Sequence, residues 1–366
     1  MIDIPFDRLR TLGLTPALAN LATAQAAVAD TTDDDALDLT LMRLVEVHRE
    51  TVLVHDGTGE RVARVLPRLT RALIDDETAL AVGDWVLVAP DPHGALWVRT
   101  QVPPVSHISR RDADSRRHPV VSNVDAVLLV MGLDDDFNPR RLERYLALAQ
   151  GGGVQPVVVL TKLDVVERTP GLVAARIEAL QGRLPASIDL CLVDGTDPET
   201  AQRLRPYLDA GQTLVLLGSS GAGKSTLTNT LLGAQTQDTG AVRAHDSRGK
   251  HTTTSRSLHQ LPGGACVIDT PGLRALRPDI DEATLATTFA DIETLAPQCR
   301  FRDCRHHDEP GCAVREAVAD DRLRNYHKLL REARRDTMSA LERQQQLAMW
   351  KARGRAAKVN MKAKRG

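Results

Sequence analysis

Residues 218–226 read Gly218-Ser219-Ser220-Gly221-Ala222-Gly223-Lys224-Ser225-Thr226, which matches the pattern G-x-x-x-x-G-K-[ST] of a phosphate-binding loop. The apolar run Thr213–Leu217 precedes it, as a strand buried on both faces would, and residues 227–233 are typical of a short helix closed by glycine. Glycines let backbone N–H groups face an anion, and the helix start adds the positive end of its dipole. We therefore expect Lys224 to reach the β- and γ-phosphates and Ser225 to bind Mg²⁺.

Length and composition indicate a protein of several domains. The 366 residues predict two or three domains, and a hydrophobic content of 42% is enough to build real cores. No apolar run is long enough to span a bilayer. Residues 1–5 lack the basic start and apolar region of a secretory signal, so we expect a soluble, cytoplasmic protein.

The net charge of −1 hides an uneven distribution. Residues 30–38 carry five aspartates, whereas residues 343–366 carry eight Lys and Arg and no acidic residue. We expect residues 1–37 to form a solvated extension of marginal order. The basic tail, residues 346–366, is of a kind that contacts nucleic acid, although a solvated tail without a partner is the alternative.

Residues 38–105 are expected to form a small closed β-barrel of the OB type, a fold that often binds oligonucleotides. Short runs of alternating polarity with turns between them predict five strands, at residues 44–48, 51–55, 61–65, 82–88 and 96–99. Arg61, Arg64, Arg68 and Arg71 add positive charge that suits an RNA backbone, and a solvated face is the alternative. Trp85 and Trp97 favour the barrel core over a role in base stacking.

Residues 106–212 predict the first half of a nucleotide-binding domain. A basic connector (Arg110, Arg111, Arg116, Arg117) leads to a buried strand at 125–131, a helix at 140–149 and a second strand at 157–160. This second strand runs directly into Thr161-Lys162-Leu163-Asp164, the pattern of a guanine-reading loop. The Asp164 carboxylate can accept hydrogen bonds from guanine N1–H and its 2-amino group, the Lys162 stem can lie along the base, and Thr161 would tie this loop toward the phosphate loop.

A third strand at residues 186–193 ends in Asp194-Gly195, where a small-residue loop beneath the base is expected. The base-reading loop precedes the phosphate loop by about fifty residues, the reverse of the usual order. We therefore predict a circularly permuted GTPase, since permutation moves only chain ends that lie on the surface.

Residues 237–254 are typical of a mobile switch loop that ends in His251-Thr252-Thr253-Thr254. Either Thr252 or Thr253 would complete Mg²⁺ coordination when a γ-phosphate is present. A strand at 265–268 then leads to Asp269-Thr270-Pro271-Gly272, where Asp269 would hold Mg²⁺ through water and the Gly272 N–H would sense the γ-phosphate.

The residue after Gly272 is Leu273, where Ras-type enzymes place a water-orienting glutamine. Leucine cannot orient water, so intrinsic hydrolysis should be slow or should use another group. Our hypothesis is that His251 supplies this catalytic group together with Lys224; a structural or solvent-facing histidine is the alternative.

Residues 299–312 contain Cys299, Cys304, His306 and Cys312 in the spacing C-x4-C-x-H-x5-C. Three thiolates and an imidazole suit tetrahedral Zn²⁺, and the full set of protein ligands indicates a structural site. His307 is the alternative to His306 as the imidazole ligand. The five cysteines are an odd number, which in a reducing compartment favours a metal over disulfides.

Taken together, the β-barrel, Thr-Lys-Leu-Asp, the phosphate loop, the His-Thr-Thr-Thr loop, Asp-Thr-Pro-Gly and the Cys/His cluster resemble the ribosome-small-subunit-dependent GTPase A family of bacteria over residues 40–340. The resemblance implies GTP hydrolysis stimulated by the small ribosomal subunit and a role in its late maturation. By position it implies that the loops named above read the base, hold the phosphates and bind Mg²⁺ and one zinc ion. The Asp194-Gly195 pair and the long N-terminal segment depart from the family's pattern.

The predicted fold is an N-terminal OB-type barrel, a central permuted α/β P-loop GTPase domain and a C-terminal helical zinc-binding domain. The expected limits are 1–37 for the extension, 38–105 for the barrel, 106–290 for the GTPase domain, 291–345 for the zinc domain and 346–366 for the tail. Partners implied are GTP or GDP and the small subunit with its rRNA, for a monomer with no membrane contact. The alternatives are an RNA-binding scaffold with a vestigial nucleotide site and an ATP-dependent phosphotransferase, because phosphate loops are widely shared.

Overall fold

The computed structural model describes residues 2–32, 38–112, 116–233, 256–270 and 277–337. The chain begins with helices α1 (Phe6–Arg10) and α2 (Pro16–Thr32). Leu18, Ala22 and Ala26 recur every four residues on α2 and are buried, as are Leu9, Leu12 and Leu14 before it. The expectation of a solvated N-terminal extension is therefore wrong for this segment, because these apolar side chains belong to the same core as the β-barrel.

A closed five-stranded barrel follows, as predicted. Its elements are β1 (Thr40–Val47), β2 (Thr51–His55), β3 (Glu60–Val65), helix α3 (Pro67–Asp75), β4 (Trp85–Pro90) and β5 (Leu96–Gln101). The strands pair in the order β1-β2-β3-β5-β4, and β4 returns to β1 to close the barrel. Trp85 is fully buried, and Arg68 and Arg71 lie on α3.

The segment expected to be a basic connector forms a β-hairpin of β6 (His107–Arg111) and β7 (Arg117–Ser122). Two of its four arginines are paired with an acidic residue. Arg111 and Arg117 form ion pairs of 2.7 and 2.6 Å with the Asp279 carboxylate. The segment is therefore a hairpin and not a simple basic connector, and the acidic partner of these two arginines could not be foreseen because it lies far away in the chain.

The nucleotide-binding part is built on parallel strands. In chain order its elements are β8 (Ala126–Gly132), α4 (Pro139–Gly151), β9 (Gln155–Thr161), α5 (Leu163–Val166), α6 (Leu172–Leu180), β10 (Asp189–Leu192), α7 (Thr200–Arg203), a 3₁₀ turn (Arg205–Tyr207), β11 (Thr213–Leu217), α8 (Lys224–Leu232), β12 (Ser257–Gln260), β13 (Cys266–Asp269) and β14 (Arg277–Pro278). The spatial order is β10-β9-β8-β11-β13-β12, parallel except for β12.

Alternate residues of these strands enter two separate apolar cores. Leu129, Val158 and Leu217 lie in the core shared with the barrel, whereas Leu128 and Val159 lie in a second one. Both faces of the sheet are therefore buried, which explains the continuous apolar runs in the sequence.

The barrel and the sheet are joined through β12 and through Arg43 of β1. Glu46 of β1 pairs with Ser257 of β12, so a single eleven-stranded sheet runs through both parts. The fully buried Arg43 guanidinium donates to the Leu12 carbonyl, to Thr213 Oγ1 at 2.8 Å and to the Asn123 carbonyl at 2.8 Å. One side chain thus links the N-terminal segment, the barrel and the nucleotide sheet.

The C-terminal part is helical, as predicted. It comprises α9 (Glu282–Thr288), α10 (Ala290–Leu295), a 3₁₀ turn (Ala296–Gln298), α11 (Ala313–Ala317) and α12 (Asp320–Thr337), around a third apolar core. Among the described residues, no helix combines the length and the apolar character needed to cross a membrane.

The Leu18→Ala substitution tests the packing of α2. Leu18 is 2% exposed, so the truncation should lower the free energy of unfolding by about 2–5 kcal/mol. The matched control is Val28→Ala on the same helix, since Val28 is 60% exposed and should tolerate the change. Urea denaturation followed by circular dichroism measures both, and equal midpoints would contradict the packing described.

Candidate nucleotide site and metal centre

The phosphate loop connects the end of β11 to the start of α8, where the sequence predicted it. Gly221 and Gly223 have φ angles of 83° and 94°, a region that favours glycine. A Cβ on Gly218 would lie 2.4 Å from the Val130 carbonyl oxygen, so the loop can pass β8 only without a side chain there. Gly233, with φ of 66°, ends α8 as expected.

Lys224 is buried inside its own loop. Its Nζ donates to the carbonyl oxygens of Gly218 at 3.0 Å and Ser219 at 2.9 Å, and the residue is 6% exposed. Burial lowers the pKa of Lys224 to about 8, although the negative charges of Asp269 and Asp136 act to raise it. Phosphate groups brought to this ammonium would favour its charged form and raise that pKa.

The segment that is predicted to read the base lies beside the phosphate loop. Thr161, the last residue of β9, donates a hydrogen bond of 2.6 Å from Oγ1 to the Ala222 carbonyl. The predicted tie between the two loops is therefore confirmed. Lys162 follows with a left-handed φ of 63°, and Asp164 is exposed in the first turn of α5.

Two aspartates that the sequence interpretation missed contact both loops. Asp136 Oδ1 accepts a 2.5 Å hydrogen bond from Ser219 Oγ, and Asp134 forms a 2.7 Å ion pair with Lys162. Both aspartates directly follow β8, whose carboxyl end lies between those of β9 and β11. The acidic run that follows the buried strand β8 could have indicated this contact. Parallel strands place their carboxyl ends at one edge of the sheet, so residues after β8 lie close to those after β9 and β11.

The Asp194-Gly195 loop packs against α8. The Asp194 carboxylate accepts from the Thr196 N–H at 2.9 Å and from its hydroxyl at 2.7 Å, which forms a tight local turn. The Gly195 carbonyl accepts a 2.7 Å hydrogen bond from Thr230 Oγ1. This loop is thus held next to the helix that carries Ser225 and Thr226.

Asp269 at the end of β13 is fully buried, and its charge acts on Lys224. The adjacent Thr270 hydroxyl donates at 2.6 Å to the Leu216 carbonyl of β11. Carboxylate and hydroxyl oxygens are hard ligands of the kind that Mg²⁺ takes, so Asp269 and Ser225 fit the predicted magnesium site in chemistry. The predicted partners His251, Thr252, Thr253 and Gly272 lie outside the described residues.

Cys299, Cys304, His306 and Cys312 form one compact cluster, with all four ligand atoms within 4.8 Å of one another. Cys299 Sγ lies 3.8 Å from Cys312 Sγ, and His306 Nδ1 lies 3.4 and 3.6 Å from these two sulfurs. A tetrahedral ion with metal–sulfur and metal–nitrogen bonds of about 2.3 and 2.0 Å implies ligand separations of about 3.8 and 3.5 Å. The cluster therefore fits a four-coordinate metal.

His307 is not part of this cluster. Its ring stacks on that of His327 with centroids 4.1 Å apart, and the residue is exposed. His306 turns inward because its backbone is left-handed, with φ of 59°. The structure thus places His306, and not its neighbour, among the three cysteines.

Comparison with known proteins agrees with this arrangement. The profile of the RsgA GTPase family matches residues 102–278. The chain is 48% identical over 298 residues to the small ribosomal subunit biogenesis GTPase RsgA of Xanthomonas axonopodis pv. citri, covering 79% of this chain and 80% of that protein. The chain belongs to the RsgA GTPase family. The RsgA of Xanthomonas campestris pv. campestris is also 48% identical, over 295 residues that cover 78% and 79% of the two chains.

Two solved structures share the fold of this RsgA-family protein. YjeQ from Thermotoga maritima aligns with a TM-score of 0.57 at 24% identity, covering 81% of this chain and 98% of that one. YloQ, described as a circularly permuted GTPase, aligns with a TM-score of 0.54 at 23% identity, covering 82% and 97%. The predicted family and permuted fold are confirmed, and family membership makes the protein a GTPase.

The Thr161→Val substitution tests the tie between the loops. It keeps the side-chain shape but leaves the buried Ala222 carbonyl without its donor, at a cost of about 1–3 kcal/mol. Titration with a fluorescent GTP analogue should therefore show affinity weakened by about tenfold.

Thr228→Val on α8 is the matched control. Its hydroxyl is also buried but finds no hydrogen-bond partner within the described part of the chain, so its loss should leave affinity unchanged. Equal affinities of the two variants would show that the Thr161 contact does not position the site.

Proposed function

We propose that this GTPase is a late-stage assembly factor of the small ribosomal subunit, whose GTP hydrolysis that subunit stimulates. The observation that carries the proposal is the 2.6 Å hydrogen bond between Thr161 and Ala222, which holds the Thr161–Asp164 segment next to the phosphate loop and so supports a single guanine-nucleotide site. The names of the Xanthomonas relatives supply the ribosomal role. We propose further that the protein is a monomer and acts in the cytoplasm.

In this proposal Thr161, Lys162 and Asp164 recognise guanine, with Asp194-Gly195 beneath the base. Residues 218–226 and the Gly272 N–H hold the phosphates, and Lys224 stabilises the charge that develops on the transferred phosphoryl group. Ser225, Asp269 and Thr252 or Thr253 would hold Mg²⁺, which would neutralise part of the negative charge of the phosphates. The carboxylates of Asp134 and Asp136 hold Lys162 and Ser219 in position for these contacts.

Hydrolysis is expected to be slow without a partner, because Leu273 replaces a water-orienting glutamine. His251 is the proposed replacement, and docking on the subunit would complete its placement. Hydrolysis would then lower the affinity of the protein for the subunit, and the protein would dissociate. His251→Ala hydrolysing GTP at the wild-type rate would remove this residue from the mechanism.

RNA contact is proposed for the barrel, the zinc-binding segment and the basic tail. The proposed domain limits are residues 1–37, 38–105, 106–290, 291–345 and 346–366. The separate apolar core around α9–α12 supports a distinct C-terminal domain. The packing of residues 9–26 into the barrel core suggests that the N-terminal segment works as part of the barrel.

The ribosomal proposal predicts selective stimulation. Small subunits should raise the single-turnover GTPase rate by about 10²-fold or more, the range of one positioned catalytic group, whereas large subunits should not. Lys224→Ala is the control, and should respond to neither. No response to small subunits would favour the alternative of an RNA-binding scaffold with a vestigial site.

Two further measurements separate the remaining alternatives. Equal subunit affinity with GDP and with a non-hydrolysable GTP analogue would contradict release upon hydrolysis. Asp164→Asn should weaken GTP binding far more than ATP binding, and guanine-indifferent binding by the wild type would favour an ATP-dependent phosphotransferase.

The metal is proposed to be one structural Zn²⁺ held by Cys299, Cys304, His306 and Cys312. Cys312→Ser should lower zinc content, measured by plasma mass spectrometry, from one ion per chain toward zero. The same variant should unfold the 299–312 segment, because this short segment depends on its metal. Cys191→Ser is the control, since Cys191 lies on β10 outside the cluster; zinc loss in both variants would contradict the assignment.

A further inference from the structure

A cleft of about 830 Å³ lies between α4, α12 and the segment that carries the metal ligands. The described residues of its lining are all basic or polar: six are Arg or Lys, and the others are Asn138, Asn325, His307 and His327. Arg324, Lys328 and Arg331 follow the i, i+4, i+7 spacing of one helical face. Three cations on α12 therefore face the three arginines of α4 across the cleft.

Four of these six cations have no carboxylate within ion-pair distance among the described residues. They are Arg140, Arg324, Lys328 and Arg331, and all four are exposed. The other two are paired, Arg141 with Asp136 at 2.5 Å and Arg144 with Glu332 at 2.7 Å. The hairpin arginines Arg111 and Arg117, by contrast, both form ion pairs with Asp279. The cleft thus gathers six positive charges that neighbouring carboxylates compensate only in part.

A buried ionic network fixes the two walls relative to each other. Glu143 of α4 is 1% exposed and accepts from Arg322 of α12 at 2.7 Å and from Asn325 at 2.6 Å. Arg183 also binds Glu143 at 3.0 Å, and pairs with Asp321 of α12 at 2.8 Å. A buried carboxylate with this many donors is costly to disrupt, so the cleft is preformed rather than created by a ligand.

The lining favours recognition of a backbone over recognition of bases. Among the described residues it contains no Trp, Tyr or Phe, and each of its two histidine rings has one face covered by the other, with centroids 4.1 Å apart. The lining therefore offers little aromatic surface to a nucleobase, whereas guanidinium and ammonium groups suit the oxygens of phosphates. Clefts lined by one sign of charge also concentrate ions of the opposite sign.

We propose that this cleft receives the phosphodiester backbone of RNA and thereby adds a contact that spans the GTPase domain and the metal-bearing domain. The inference rests on the proposed function, since it names a surface through which RNA of the subunit is held. It places one wall of the RNA contact on α4, outside the barrel, the metal ligands and the basic tail.

The position of Arg141 brings this cleft close to the nucleotide site. Its guanidinium lines the cleft and also donates to the backbone carbonyl and the carboxylate of Asp136. The same carboxylate accepts the hydroxyl of Ser219 in the phosphate loop. A phosphate bound to Arg141 would therefore be connected to the phosphate loop through three successive hydrogen bonds.

The test measures binding of a fluorescent oligouridine to the full chain as a function of salt. Each phosphate contact to single-stranded nucleic acid contributes about 0.7 to the slope of log K against log salt. The double variant Arg324→Gln, Lys328→Gln should therefore reduce the slope by about 1.4. Arg140→Gln on the opposite wall should reduce it by about 0.7.

The matched control is Arg168→Gln, Arg205→Gln, which removes two exposed charges outside the cleft. Slopes equal to wild type in the cleft variants, or an equal loss in the control, would overturn the proposal. So would a cleft variant that loses binding of polyglutamate while keeping that of oligouridine, since an acidic protein segment would then be the occupant. The assay needs neither GTP hydrolysis nor ribosomes, so its failure is distinguishable from failure of the ribosomal role.

Discussion

Parallel pairing of β8 with β9 and β11 is the constraint on which the nucleotide site depends. Met131 pairs with Leu160 and Leu128 with Leu216, so the three strands end at one edge of the sheet. The loops that follow these strand ends contact one another: the acidic loop after β8, the Thr161–Asp164 segment and the phosphate loop. The reversed chain order changes nothing here, because the sheet fixes where strands lie and not the sequence in which the chain visits them.

Features encoded by neighbouring residues could be predicted from the sequence. The phosphate loop combines a specific pattern with the apolar run Thr213–Leu217 before it, and the base-reading loop follows an equally clear strand. Features that depend on distant pairing could not. Asp136 reaches the phosphate loop only because β8 lies next to β11 in the sheet. In the sequence alone, the hairpin arginines resemble solvent-facing residues, because the position of Asp279 beside them is not known. The choice between His306 and His307 depends on one left-handed residue, which spacing cannot reveal.

The N-terminal segment illustrates a different limit. Ala22 and Ala26 are small, so the apolar face of α2 is weak in the sequence and its periodicity is easily read as that of a marginal helix. Its stability comes from the surface it covers, since α2 packs against β4 and β5 of the barrel. Burial against the barrel determines that this segment is an ordered helix, and the local sequence of the segment does not reveal the surface that buries it.

Arg43 shows why the barrel, the N-terminal segment and the nucleotide sheet form a connected unit. Burial lowers the pKa of Arg43 by opposing its charged form, so the guanidinium needs all of its acceptors to remain inside the protein. Those acceptors come from three separate segments, through Leu12, Asn123 and Thr213. Removing any one segment would leave a buried cation short of partners. The barrel is therefore held to β11, the strand that carries the phosphate loop, by a contact that tolerates little displacement.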